Sequence, residues 1–226
     1  MKNEYIQIIQ GLLTPYENKQ EAIKMKQYMR NQYDFLGIRA PQRKQLVRFL
    51  IKEHGLPSEE SFKTIIYELW ALPERDYQSI ALELIDRKSK QFKEDDIELI
   101  EDLITNKSWW DTVDWIASKH AGNYFLQYPE NKWVITERWI QSDNIWLQRS
   151  AIIFQLKYKT DTDEAHLYDY ITQCLGSDEF FINKAIGWAL REYSKINPQS
   201  VLDFVDRTPL PKFSRTEALK VIKQKS

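Results

Sequence analysis

Ile104-Thr-Asn-Lys-Ser-Trp-Trp110-Asp-Thr-Val-Asp-Trp115 reads as the end of one apolar helix, a short polar turn, and a second helix with an aromatic residue in its first turn. Three other stretches fall into register with it when their aromatic residues are aligned. They are Ala71-Leu-Pro-Glu-Arg-Asp-Tyr77-Gln-Ser-Ile-Ala-Leu82, Ile140-Gln-Ser-Asp-Asn-Ile-Trp146-Leu-Gln-Arg-Ser-Ala151 and Leu175-Gly-Ser-Asp-Glu-Phe-Phe181-Ile-Asn-Lys-Ala-Ile186. The anchors Tyr77, Trp110, Trp146 and Phe181 lie 33, 36 and 35 residues apart, the period of two-helix repeats. One such helix pair cannot bury its own apolar face, so stacking each pair on the next is the physical reason to repeat. Gly is scarce, at 6 residues, and the prolines fall mainly between apolar-periodic segments, where helices start and stop. The spacing predicts an all-α fold, a superhelical solenoid of HEAT-like two-helix repeats with a concave face, as a single domain over 1–226. Helices at about 2–12, 17–32 and 41–54, and a last one near 213–224, are expected to cap the array. Ser108, Ser142 and Ser177 are candidates to cap the orphan amides at or near the starts of these second helices.

The register exposes one departure. Four positions after the anchors stand Ala81, Asp114, Ser150 and Ala185, three small residues and one carboxylate. Asp114 is one turn along from Trp110, on the same helical face. Three positions after the anchors stand Ile80, Val113, Arg149 and Lys184; seven after stand Leu84, Ala117, Ile153 and Trp188. Corresponding positions of adjacent repeats line one surface about 10 Å apart, so Trp110, Asp114, Arg149 and Trp188 are expected to converge on one concave patch. An acid in a small-residue slot, flanked by indoles and facing a cation, is costly in a core and useful in a cleft. The plainer reading, a structural ion pair among packed tryptophans, stays open beside it. Trp109, Trp115, Trp133, Trp139 and Tyr193 read as packing residues.

Charge is unevenly spread although the net value is only -1. Between Lys24 and Arg48, seven basic residues stand against Asp34 alone; between Arg207 and Lys225, six stand against Glu217; the stretch from Glu59 to Asp102 is acidic. Two basic ends around an acidic stretch can hold a polyanion, or be solvated helix faces. No run approaches the roughly 18–20 uncharged apolar residues of a membrane span. Met1-Lys2-Asn3-Glu4-Tyr5 has the character of neither a signal nor a transit peptide. The single cysteine, Cys174, reads as apolar filler and cannot form an internal disulfide, which points to a reducing cytoplasm. His54, His120 and His166 lack metal-ligand spacing, and there is no phosphate-cradling glycine loop, so neither metal nor cofactor is expected.

Lys107-Ser-Trp-Trp-Asp-Thr-Val-Asp114, Ser142-Asp-Asn-Ile-Trp-Leu-Gln-Arg149, Phe180-Phe-Ile-Asn-Lys-Ala-Ile-Gly-Trp188-Ala-Leu-Arg-Glu-Tyr193, Tyr28-Met-Arg and Phe35-Leu-Gly-Ile-Arg-Ala-Pro41 together resemble the bacterial AlkD family of alkylpurine DNA glycosylases, from about residue 20 to the C-terminus. The resemblance implies a catalytic carboxylate at Asp114, lesion-facing indoles at Trp110 and Trp188, a backbone-binding arginine at Arg149 and a tyrosine near the lesion strand at Tyr28. It implies excision of 3-methyladenine and 7-methylguanine from double-stranded DNA by a monofunctional glycosylase, with no metal and without flipping of the damaged base. Lys184, Arg191, Lys212 and Arg215 are further candidates for phosphate contact, and a monomer is expected. Two other readings remain at this point: a catalytically silent DNA-binding member of the same fold, and a protein-binding helical scaffold.

Overall fold

The computed structural model describes residues 3–224; Met1 and Lys2 of the N-terminal stretch and Lys225 of the basic C-terminal run lie outside the described residues. The expected all-α architecture is present, as successive helix pairs in keeping with a helical repeat solenoid. Extended pairing among the described residues is limited to a one-residue bridge between Asp34 and Glu74. None of the described helices is long and apolar enough to cross a membrane. The chain divides into two compact units, with the boundary between Ser89 and Lys90.

The first unit contains α1 (Glu4–Leu13), α2 (Lys19–Tyr28), α3 (Ala40–His54), α4 (Glu59–Ala71) and α5 (Arg75–Lys88). Its core comes from one stripe of each long helix: Ile6, Ile9 and Leu13, then Leu46, Val47 and Leu50, then Ile65, Ile66 and Leu69, all buried at helical spacing. The Phe35–Pro41 segment is fastened between α2 and α5. Leu36 and Ile38 donate their backbone N–H groups to the buried Asp76 carboxylate at 2.8 and 3.3 Å. Gly37 is required there: its φ is +84°, and a Cβ would lie 2.1 Å from the Asn18 carbonyl oxygen.

The second unit contains α6 (Asp96–Thr105), α7 (Trp110–Trp115), α8 (Gly122–Gln127), α9 (Pro129–Ile140), α10 (Ile145–Ile153), α11 (Glu164–Gln173), α12 (Phe180–Tyr193), α13 (Pro198–Arg207) and α14 (Lys212–Ala218). A π-helical turn, Ile116–Ala121, joins α7 to α8 without a break. Trp110, Trp146 and Phe181 occupy the first turns of α7, α10 and α12, as the register predicts. Phe125 packs edge-on against Trp139 and Phe154 at 5.6 and 5.3 Å, forming a fully buried aromatic centre. Trp133 stacks flat on His166 at 3.5 Å, and the Tyr193 hydroxyl donates to Glu164 at 2.8 Å, so both pack between helices. Burial pushes the Cys174 thiol up to about 11, which fits filler rather than a reactive group.

The capping expectation holds near the starts of α10 and α12 and fails at Ser108. Asn144 caps α10, accepting from the amides of Trp146 and Leu147, while α7 and α12 have no side-chain cap. The serines act one step earlier: Ser108 donates to the Ile104 carbonyl, and Ser142 and Ser177 accept from the amides of Asn144 and Glu179. A different device repeats instead. Gln78, Gln148 and Asn183 each donate a side-chain amide to the carbonyl six residues earlier, at 2.8, 2.7 and 2.8 Å on Leu72, Ser142 and Ser177. Each bond locks the second helix to its own entry turn.

Candidate active site

The burial pattern of α7 decides which way its functional side chains point. Val113, Ile116 and Ala117 are fully buried and hold one face of the helix against its neighbours. Trp110 and Asp114, four residues apart, share the face left half-open. The Ser118 hydroxyl donates to the Asp114 carbonyl at 2.7 Å, at the start of the π turn.

Arg149 reaches Asp114 from α10. Its Nε donates to Oδ1 at 2.7 Å and its Nη2 to Oδ2 at 2.8 Å, a two-pronged pair, while Nη1 donates to the Phe181 carbonyl of α12. One guanidinium thereby ties α7, α10 and α12 together. The Arg149 side chain is 2 % exposed and that of Asp114 17 %. Burial pushes the Asp114 carboxyl above its ordinary range; the hydrogen bonds and charge of Arg149 oppose this without cancelling it, and Asp111 adds to the rise. The guanidinium that the resemblance places on a phosphate faces inward onto a carboxylate in the protein alone.

Asp114 opens into a cavity of about 420 Å³, walled by Trp110, Trp188 and Phe181 and bordered by Arg149, Lys184 and Arg191. The four residues that the repeat register aligns, Trp110, Asp114, Arg149 and Trp188, thus border one space. Phe213 and Glu217 of α14 complete it. A larger cavity of about 540 Å³ lies at the C-terminal ends of α10 and α12, but Glu192, the one carboxylate lining it, is bound by Lys195.

A family model described as DNA alkylation repair enzyme matches residues 9–222. The chain belongs to the DNA alkylation repair enzyme family. A solved structure described as a "Predicted DNA alkylation repair enzyme" from Enterococcus faecalis superposes with a TM-score of 0.85 at 32 % identity, covering 90 % of this chain and 95 % of that one. No curated protein sequence matches the chain. Membership of this repair enzyme family makes alkylated DNA the material on which the chain acts.

In this DNA alkylation repair enzyme the other expected cations are placed differently from one another. Lys184 is exposed at the cavity border and Lys212 is exposed at the start of α14. Arg191 pairs with Glu217 inside the cavity. Arg215 donates to the Val205 carbonyl and to Asp206, so part of its hydrogen-bonding capacity is already spent on α13. Tyr28 belongs to the first unit, at the end of α2, and is 71 % exposed. Trp109, expected to be packing, forms a triangle with Trp146 and Phe181 at centroid distances of 5.8 and 5.1 Å, behind the cavity wall.

Gly187 sets how closely α14 approaches. A Cβ there would lie 2.9 Å from Glu217 Cβ and 3.2 Å from the Cα and carbonyl oxygen of Ser214. The buried Ser214 hydroxyl donates to the Asn183 carbonyl at 2.7 Å, so α14 cannot retreat without breaking that bond. Gly187→Ala is expected to destabilise the protein by about 1–3 kcal/mol through overpacking, outweighing the gain in helix propensity. Denaturant titration checks this; a variant as stable as the parent would mean that α14 yields freely.

Proposed function

We propose that this chain is a monofunctional DNA glycosylase that hydrolyses the N-glycosidic bond of cationic N3- and N7-alkylated purines, 3-methyladenine and 7-methylguanine. The observation that carries this reading is the Asp114 carboxylate, held by an inward-facing arginine and opening into a cavity between two indoles. A purine alkylated at N3 or N7 carries a positive charge, so its bond to C1′ is already weakened. The bonding pair departs with the base, which leaves neutral, and no general acid is needed. C1′ is left with oxocarbenium character; water adds there and loses a proton to Asp114 or to solvent.

What the protein supplies is an anion beside the developing positive charge, fixed before the reaction begins. Arg149 acts as a positioning residue: it holds both carboxylate oxygens and takes no part in gripping the strand. The faces of Trp110 and Trp188 favour a cation-bearing nucleotide and exclude bulk water from the sugar. Lys184, Lys212, Arg191 and Arg215 are the proposed phosphate contacts, with Tyr28 near the strand. The damaged base stays in the duplex in this reading, and the working form is a cytoplasmic monomer. Incubation of the protein with methylated duplex DNA, followed by chromatography of the supernatant, is expected to show free 7-methylguanine. DNA returned with all its methylated purines attached would overturn the reading.

A further inference from the structure

The charges that border the Asp114 cavity fall into two closed pairs and one single cation. Asp114 is held by Arg149, Glu217 of α14 is held by Arg191 of α12, and Lys184 stands exposed at the border. Gly187 and Arg191, four residues apart, share the face of α12 that α14 covers. The missing side chain at Gly187 lets Glu217 come close, since a Cβ there would lie 2.9 Å from Glu217 Cβ, and the Ser214–Asn183 bond keeps α14 in place. Arg191 Nε also lies 3.7 Å from Glu192, but that carboxylate is already bound by Lys195, so Glu217 is the main counter-charge of Arg191. The Arg191 and Glu217 side chains are 25 % and 24 % exposed, so water screens them only in part. The charge of Lys184 already lowers the Asp114 carboxyl, which shows that a charge on the wall acts across the cavity.

We propose that Glu217 determines the preference for a positively charged lesion: by cancelling Arg191, it leaves the cavity open to a cation. The inference rests on the glycosylase reading, which places a charged purine, and then a sugar with oxocarbenium character, beside Asp114. Arg191 and Lys184 attract the phosphates of the strand but repel both of those cations. An acid paired with Arg191 resolves the conflict, because a guanidinium has five N–H donors and keeps some for a phosphate while its charge is cancelled on the cavity side. Undamaged nucleotides carry no such charge and gain nothing from Glu217. Its effect therefore falls on discrimination between nucleotides and not on grip of the strand.

The test uses the full chain and two duplexes that differ at one position. One carries a pyrrolidine abasic analogue, whose ring nitrogen is protonated at neutral pH; the other carries a neutral tetrahydrofuran. The quantity read is the ratio of their affinities, by anisotropy at a fixed salt concentration, in which shared phosphate contacts cancel. Glu217→Gln keeps the shape and an oxygen for Arg191 but drops the charge. It is expected to lower the pyrrolidine preference at least about threefold, in the range for one partly exposed charge acting on another. Its affinity for the tetrahydrofuran duplex is expected to hold or rise, whereas a damaged fold would lower both affinities. Arg191→Gln, which leaves Glu217 uncancelled, is expected to raise the preference above the parental value. The double variant Glu217→Gln/Arg191→Gln is expected to return it to within about twofold of the parent. A parental ratio in Glu217→Gln would overturn the inference, as would equal losses on the two duplexes or a double variant no better than Glu217→Gln alone. Release of 7-methylguanine by the parent separates the two claims. If release occurs and the ratio ignores Glu217, the charge inference alone fails; if release is absent while the ratio follows the three variants, the glycosylase reading alone fails.

Discussion

Replacing Asp114 by Asn is expected to slow release of 7-methylguanine about 10²–10³-fold in single turnover at neutral pH, the range typical for loss of one preorganised electrostatic contact. The substitution keeps volume and removes the charge. DNA affinity is expected to hold or rise slightly, because an anion has been taken away from a site that meets a polyanion. An amide in this position presents one oxygen and one N–H₂ group to the Arg149 fork, so one of the two hydrogen bonds at 2.7 and 2.8 Å is lost. Some loss of stability accompanies it, and a melting curve read beside the kinetics separates that from the chemical effect. The pH profile adds a sign. In the parent, protonation of Asp114 removes the anion, so excision declines as pH falls, and burial places that decline above the range of an ordinary aspartate. The Asn variant, with nothing to titrate there, has no such limb. Excision by Asp114→Asn at the parental rate would remove Asp114 from the mechanism.

What could be read from the chain alone follows from what repetition determines. A repeat fixes which residues stand at equal heights on neighbouring helices, so aligning Tyr77, Trp110, Trp146 and Phe181 was sufficient to bring Asp114, Arg149 and Trp188 to one cavity. It does not fix which way a long side chain turns. Arg149 could reach outward to a phosphate or inward to Asp114, and only packing decides; with the side chain 2 % exposed, the inward pair wins. Phe213 and Glu217 were missed for a different reason: they come from α14, beyond the last aligned repeat, where no register predicts a partner. Gly187 carried a usable signal, a glycine inside a strongly helical run, which costs about 1 kcal/mol and calls for a close neighbour. The π turn after Asp114 left no comparable trace, because an i→i+5 turn has no composition of its own. The serines mark the entry turns rather than the caps: Asn144, which caps α10, and the Gln148 and Asn183 locks lie two to six residues beyond Ser142 and Ser177.

Arg149→Met tests the inward pair most directly, since it removes the charge while filling much of the same space. Losing one partner of a buried ion pair costs about 3–5 kcal/mol when the other is left charged. Here Asp114 has a way out, which is to bind a proton. Arg149 supplies the largest influences that hold its carboxyl down, so in the variant burial acts almost unopposed and the carboxyl rises further above its ordinary range. A carboxyl raised in the folded state stabilises the fold fully below its unfolded pKa, and that contribution is lost as pH rises through the folded pKa. The stability gap between parent and variant is therefore expected to be smallest in acid and to widen towards neutrality. The acid limb of 7-methylguanine release moves the same way, to higher pH, because a larger fraction of Asp114 is protonated at any given pH. The salt slope of DNA binding, by contrast, stays at the parental value, while Lys184→Ala makes it shallower by removing an exposed cation. A shallower slope for Arg149→Met with the acid limb unmoved would return Arg149 to the phosphate backbone and leave Asp114 to be positioned by something else.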